Sequence, residues 1–123
     1  MRSAPVAIVT GASSGIGRQT ALAYARRGYG VALAARREPR LRELADQCRQ
    51  AGGDALVQPT DVSDADQLDK LFDATLDAFG RLDVLVNNAG FGICARVWET
   101  AEADWRRIFE VNFFAVVRAC RIA

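Results

Sequence analysis

One run of small side chains constrains this chain more than any other feature: Thr10-Gly11-Ala12-Ser13-Ser14-Gly15-Ile16-Gly17, set between an apolar segment and a helical pattern. The segment before it, Val6-Ala7-Ile8-Val9, is short, partly β-branched and unalternated, which suits a parallel strand buried on both faces. After it, Leu22, Ala23 and Ala25 mix with Arg18, Gln19, Arg26 and Arg27 at helical spacing, and Gly28 supplies a stop. Strand, glycine turn and helix in that order read as a phosphate cradle. Gly11 makes the turn in a backbone conformation that favours a residue without a Cβ. Gly15 opens the way to the first free amides of the helix, where unpaired N–H groups and the positive dipole end favour an anion. Gly17 lets the helix pack close on the strand. Ser13 and Ser14 add hydroxyl donors at the rim. The spacing differs from G-x-G-x-x-G, and the Lys-Ser/Thr ending of an ATP-binding P-loop is missing, since the first Lys after the turn is Lys70.

Half of the 123 residues are hydrophobic and a quarter are charged, so one ordered domain is expected and disorder is not. A net charge of +1 gives no electrostatic case for nucleic acid or an anionic membrane. Arg26, Arg27, Arg106 and Arg107 read most simply as solvated helix faces. Cys48, Cys94 and Cys120 have no paired spacing and suggest reduced thiols in a cytoplasmic protein. The absence of His removes His-based catalysis and most zinc sites, so no metal site is expected. Met1 to Pro5 is too short a lead for a signal peptide, and no apolar run approaches membrane-spanning length.

Strand and helix signals then alternate. Val31 to Ala35 reads as a second strand, and Leu41, Leu44, Ala45 and Cys48 mark one face of a helix closed by Gly52-Gly53. Ala55 to Thr60 reads as a third strand in which Pro59, lacking a ladder donor, argues for an edge or a strand end. Ser63 is expected to cap the next helix, with Leu68, Leu71, Phe72, Leu76 and Phe79 as its buried stripe before Gly80. Leu82 to Asn87 makes a fourth strand, and Thr100 is expected to cap a long final helix. Short loops and one crossover hand make this half of a doubly wound parallel α/β sheet.

Four motifs now stand in order: TGASSGIG after strand one, Asp61-Val62 after strand three, Asn87-Asn88-Ala89-Gly90 after strand four, and Asn112 within Glu110-Val111-Asn112-Phe113. Together they resemble the short-chain dehydrogenase/reductase family, whose domain this chain matches only in its first half. The resemblance implies a Rossmann-type fold truncated to about four strands with helices on both faces, residues 1–123 forming an incomplete NAD(P)-binding domain. In such a sheet a dinucleotide lies across the carboxyl ends of the strands where strand order reverses, here between strands one and four. Gly11, Ser13, Ser14, Gly15, Ile16 and Gly17 are then expected to hold the pyrophosphate and adenine ribose. The resemblance implies that Asp61 accepts from the adenine amino group with the Val62 amide beside it; the plainer reading of Asp61 is a turn acid. Asn88, Ala89 and Gly90 are expected to present backbone near the nicotinamide half, while Asn87 ties neighbouring strands, although Asn-Asn-Ala-Gly is also ordinary turn chemistry.

The exit of strand two bears on the choice between NADP and NAD, because an acid there binds free ribose hydroxyls and repels a 2′-phosphate. No acid is present; Ala35 leaves room and Arg36 offers a planar fork for a phosphate, so NADP is favoured over NAD. The competing reading leaves Arg36 and Arg37 as solvated loop arginines. Asn112 shares a helical face with Ile108, Ala115 and Ala119, so its amide is expected to be buried. In the family the matching Asn helps hold a water in the proton relay behind the catalytic groups; a purely structural amide is the alternative.

Chemistry in that family rests on a Tyr, a Lys four residues later and an earlier Ser. No Tyr-x-x-x-Lys exists here, since Tyr24, Tyr29 and Lys70 lie in other elements. The expected function is hydride transfer between a nicotinamide cofactor and a small carbonyl or alcohol substrate, with this chain alone inactive. A catalytically silent nucleotide-binding module is the alternative. A methyltransferase of related fold is disfavoured because Ala35-Arg36-Arg37 lacks the acid its nucleoside ribose needs. Strand four, apolar on both faces, and a last helix apolar nearly all round predict an incomplete chain: a fragment of a longer reading frame, or one needing a partner segment or self-association. Phe91, Ile93 and Trp98 read as core or loop packing before they read as pocket wall.

Overall fold

Each apolar run is followed by a helix that returns the chain to the same end of the sheet, which forces the strands to pair in parallel. In the structure, a computed structural model that describes residues 3–123, they are β1 (Val6–Thr10), β2 (Gly30–Ala35), β3 (Asp54–Pro59) and β4 (Val84–Val86). Met1 and Arg2, part of the short lead, lie outside the described residues. The strand order is β3-β2-β1-β4. The chain therefore steps outward twice on one side of β1 and then crosses to the other. The register sets Ile8 level with Ala32 and Leu85. Pro59 ends the edge strand, where its missing N–H costs no ladder bond.

The helices are α1 (Gly15–Arg26), α2 (Glu38–Gln50), α3 (Ala65–Phe79), α4 (Glu102–Phe109) and α5 (Ala115–Ile122), with a π-helical turn, Glu110–Phe114, joining the last two. Alternate strand residues supply two cores. Val9, Val31 and Leu33 pack with Leu41, Leu44 and Cys48 on one face. Ile8, Ala32 and Ala34 pack with Leu68, Leu71, Phe72, Ala115 and Ala119 on the other. Helices on both faces explain why β1 and β2 are buried along their whole length. No described helix is long and apolar enough to cross a membrane.

Four local expectations are corrected. Asp64, not Ser63, caps α3, its carboxylate accepting from the Asp66 and Gln67 amides, because the helix begins at Ala65 and places Asp64 at the cap position, while the Ser63 hydroxyl donates to Asp61 at 2.7 Å. Leu76 leaves the α3 stripe, 49% exposed, and Thr75 is buried instead. Thr100 caps nothing: its hydroxyl donates to the Arg96 carbonyl, and α4 starts after Ala101 without a side-chain cap. β4 is shorter than Leu82–Asn87 because side chains take over both ends of its ladder. Asp83 Oδ2 accepts from the Val6 amide at 2.8 Å, and Thr10 Oγ1 accepts from the Asn88 amide at 3.0 Å.

Candidate functional site

The glycine turn carries the chain from the carboxyl end of β1 into α1. Gly11 (φ +63°) and Gly15 (φ +57°) both occupy the left-handed region that only glycine enters at little cost. A Cβ on Gly11 would sit 2.9 Å from the Ala89 backbone and the Asn88 amide, whereas one on Gly15 would meet nothing within 4 Å. The first glycine is therefore a close-packing position and the second faces open space. Gly17 is buried, and a Cβ there would strike the Gly11 carbonyl oxygen and the Asn88 side chain. Its close contact is thus with the turn and the β4 exit, not with the strand expected from the sequence. Ser14 precedes α1 in extended conformation and makes no side-chain cap, which leaves the first-turn amides for an outside acceptor.

Thr10 joins this turn to the loop after β4. Its hydroxyl accepts from the amides of Asn88 and Ala89, both at 3.0 Å, and donates to the Val86 carbonyl at 3.3 Å. The Asn88 side chain donates to the Gly11 carbonyl at 3.2 Å. Asn88 and Thr10 thus tie β1 to β4. Asn87, expected to do so, instead directs its amide to the Cys120 sulfur at 3.6 Å. The role of Thr10 was legible in principle, as a hydroxyl ending a buried apolar strand needs partners that only a neighbouring backbone can provide.

These elements enclose a cleft of about 530 Å³ at the carboxyl edge of the sheet. It brings together Gly11, Ser13, Ser14, Arg36, Asp61, Val62, Asn88, Ala89 and Gly90 of the expected set, with Arg37, Phe91, Arg107 and Val111 beside them. Gly15, Ile16, Gly17 and Asn112 do not line it, and Ile16 is 78% exposed. Nor do Ile93 and Trp98, both exposed. Asp61 Oδ1 accepts from the Ser63 hydroxyl and, at 3.0 Å, from the Ser63 amide. The Ser63 hydroxyl does most to hold this carboxyl below the usual carboxylate range; burial opposes it, and the Ser63 amide and the charges of Arg36 and Arg107 assist. Asp61 is therefore an ionised acceptor at neutral pH. Arg107, read from the sequence as part of a solvated face, is exposed but borders the cleft. It stands one helical turn from Val111, which also lines the cleft.

Asn112 lies in the π-helical turn and is exposed, not buried. A π turn inserts an extra residue, so the 3.6-residue stripe that contains Ala115 and Ala119 does not continue through it. Both ends of the amide are nevertheless used: Oδ1 accepts from the Phe91 amide at 3.0 Å and Nδ2 donates to the Phe91 carbonyl at 2.7 Å. That pairing holds the chain just after Gly90, where a Cβ would approach Asn112 Oδ1 to 3.0 Å.

Residues 5–123 match the short chain dehydrogenase family. The chain is 43% identical over 120 residues to 11-beta-hydroxysteroid dehydrogenase A of Sesamum indicum, covering 96% of this chain and 34% of that protein. It superposes with a TM-score of 0.92 on a short chain dehydrogenase/reductase from Burkholderia phymatum in complex with NAD, 39% identical over 98% of this chain and 43% of the other. L-sorbose reductase from Gluconobacter frateurii, complexed with NADPH and L-sorbose, superposes with a TM-score of 0.91 at 36% identity, over 97% of this chain and 46% of the other. The chain spans about a third of the length of the curated relatives it matches. A four-stranded parallel sheet whose glycine turn, Asp61 and Asn88-Ala89-Gly90 border one cleft, matched in sequence along nearly its whole length, belongs to the short chain dehydrogenase family.

Proposed function

We propose that residues 1–123 are the cofactor-holding part of an NAD(P)-dependent oxidoreductase acting on a small carbonyl or alcohol. The observation that carries this reading is the cleft at the carboxyl edge of the sheet, which Gly11, Ser13 and Ser14 of the glycine turn line together with Asp61 and Ala89-Gly90. A bound nicotinamide nucleotide supplies or accepts the hydride. This chain's residues orient it. Gly11, Ser13, Ser14, Gly15, Ile16 and Gly17 offer amides and hydroxyls to the pyrophosphate and its ribose. The ionised Asp61 accepts from the adenine amino group, with Val62 beside it. Asn88, Ala89 and Gly90 present backbone to the nicotinamide half. Asn112 keeps Phe91 in place and retains one amide hydrogen and one lone pair for the proton-relay water that the family resemblance implies.

NADP is the proposed partner over NAD. Arg36 and Arg37 both line the cleft at the β2 exit, no acid stands there, and no ion pair among the described residues engages Arg36. Calorimetric titration with both nucleotides tests the reading. Binding of NADP in preference to NAD is expected, and Arg36→Ala is expected to lower the ratio of affinities about tenfold or more, as loss of a charge-assisted phosphate contact does. An unchanged ratio sinks the NADP assignment, and no binding of either sinks the cofactor reading.

A second reading, binding without turnover by this chain, is favoured by the missing Tyr-x-x-x-Lys; Tyr24 and Tyr29 pack against each other with tilted rings, 4.9 Å between centroids. A turnover assay with alcohols and ketones should remain silent while the nucleotide binds. The exposed thiols of Cys94 and Cys120 are consistent with the cytoplasmic setting we propose. The apolar last helix supports self-association or a further segment covering it.

A further inference from the structure

Glu110 and Arg118 stand on either side of Asn112 in the chain and are joined across it. Glu110 Oε1 accepts from Arg118 Nη2 at 2.6 Å, and both side chains are half-buried. The other terminal guanidinium nitrogen, Nη1, is shut off from solvent and has no acceptor among the described residues. The pair thus differs from Arg106–Glu102, a bridge one turn long on α4 whose side chains are both 78% exposed. The backbone of Glu110 is engaged as well. Its carbonyl accepts from the amide of Ala115, five residues on, which is the bond that makes this turn π-helical.

On a regular helix, at about 100° per residue, side chains eight positions apart point about 80° away from each other. The residue inserted by the π turn gives Arg118 the place that the seventh position would take, about 20° from Glu110 and two turns along. The ion pair therefore favours the π register over the α one. Removing the Glu110 charge leaves a guanidinium partly withdrawn from water without a carboxylate, a costlier state than the loss of a solvated pair. Between the two partners stands Asn112, whose amide takes both the N–H and the carbonyl of Phe91, just after Gly90. A slip to the α register would rotate α5 against α4 by about one residue, or 100°, and pull Asn112 off Phe91. We propose that Glu110 and Arg118 are positioning residues: their ion pair locks the π turn, so that Asn112 stays on Phe91 and the Gly90 backbone keeps its place at the nicotinamide half of the cleft. The last clause rests on the cofactor reading above.

Hydrogen exchange and calorimetry on the full reading frame that carries this chain test the proposal. Glu110→Gln keeps the shape and removes the charge. It should speed exchange at the Phe91 amide about tenfold, while the Ala89 amide, held by Thr10, and the β1 and β2 amides stay at parental rates. Arg118→Met should act alike, and the double variant should exchange no faster than either single one. Should Arg118→Met lose the β1 and β2 protection, Glu110→Gln alone decides. On an Asn112→Ala background Glu110→Gln should add nothing, as a pair acting through Asn112 requires. Glu110→Gln should also weaken NADP about fivefold and leave AMP, which lacks the nicotinamide half, at its parental affinity. Parental exchange at Phe91, a further rise on the Asn112→Ala background, or an NADP affinity that is unchanged or falls together with that for AMP would overturn the proposal. A parent that binds neither ligand would overturn the cofactor reading, and exchange at Phe91 would still decide whether the pair holds the turn.

Discussion

A single hydroxyl, that of Thr10, serves two amides and a carbonyl while only 2% exposed. Thr10→Val keeps the shape and removes the acceptor, leaving the Asn88 and Ala89 amides short of a partner. The expected loss is about 1–3 kcal/mol in denaturant unfolding, with Thr10→Ser close to the parent. Asp61 gives a pH signature. Its folded carboxyl lies below its unfolded value, so the associated stability is present above the unfolded pKa of about 3.9 and is lost as pH falls through the folded one. Ser63→Ala removes the largest cause of the depression. It should raise the Asp61 midpoint seen by NMR and move the acid-side loss of stability to higher pH; an unmoved midpoint would exclude the Ser63 hydroxyl as the cause.

Elements differ in how far the sequence discloses them. The α2 stripe of Leu41, Leu44, Ala45 and Cys48 is the buried set of that helix, because a regular helix repeats its spacing faithfully. The glycine turn is equally legible, since its backbone conformation demands particular residues. The π-helical turn is not: its extra residue breaks the spacing from which Asn112 was expected to be buried. Nor is the short β4, whose ends are set by side chains 77 and 78 positions away in sequence. Arg107 escaped notice because charge on a helix face reads as solvation until the neighbouring loop is in place. The turn around Asn112 offers its own test. Asn112→Ala should speed hydrogen exchange at the Phe91 amide, whose acceptor is Asn112 Oδ1, while the β1 and β2 amides keep their protection. Unchanged exchange at Phe91 would show that the π turn orders that loop without the amide.

Across the whole molecule, a run of exposed large apolar side chains extends from the end of α4 through the π turn into α5. Phe109 and Phe113 are each 54% exposed, and Phe114, Val117 and Ile122 join them. Among the described residues β4 pairs with β1 alone, and it is only half-buried. Surfaces of this kind associate in water. Sedimentation of the isolated chain should give species heavier than the 13.4 kDa monomer that grow with concentration; a monodisperse monomer with cooperative melting would contradict this. The Thr10 junction has a mechanical consequence as well. Because one hydroxyl fastens both inner lips of the cleft, neither can swing outward without rupturing several bonds together. A ligand is then expected to enter at the outer margin, where Arg36 and Arg37 hang from an exposed bend, and to come to rest against a braced jaw.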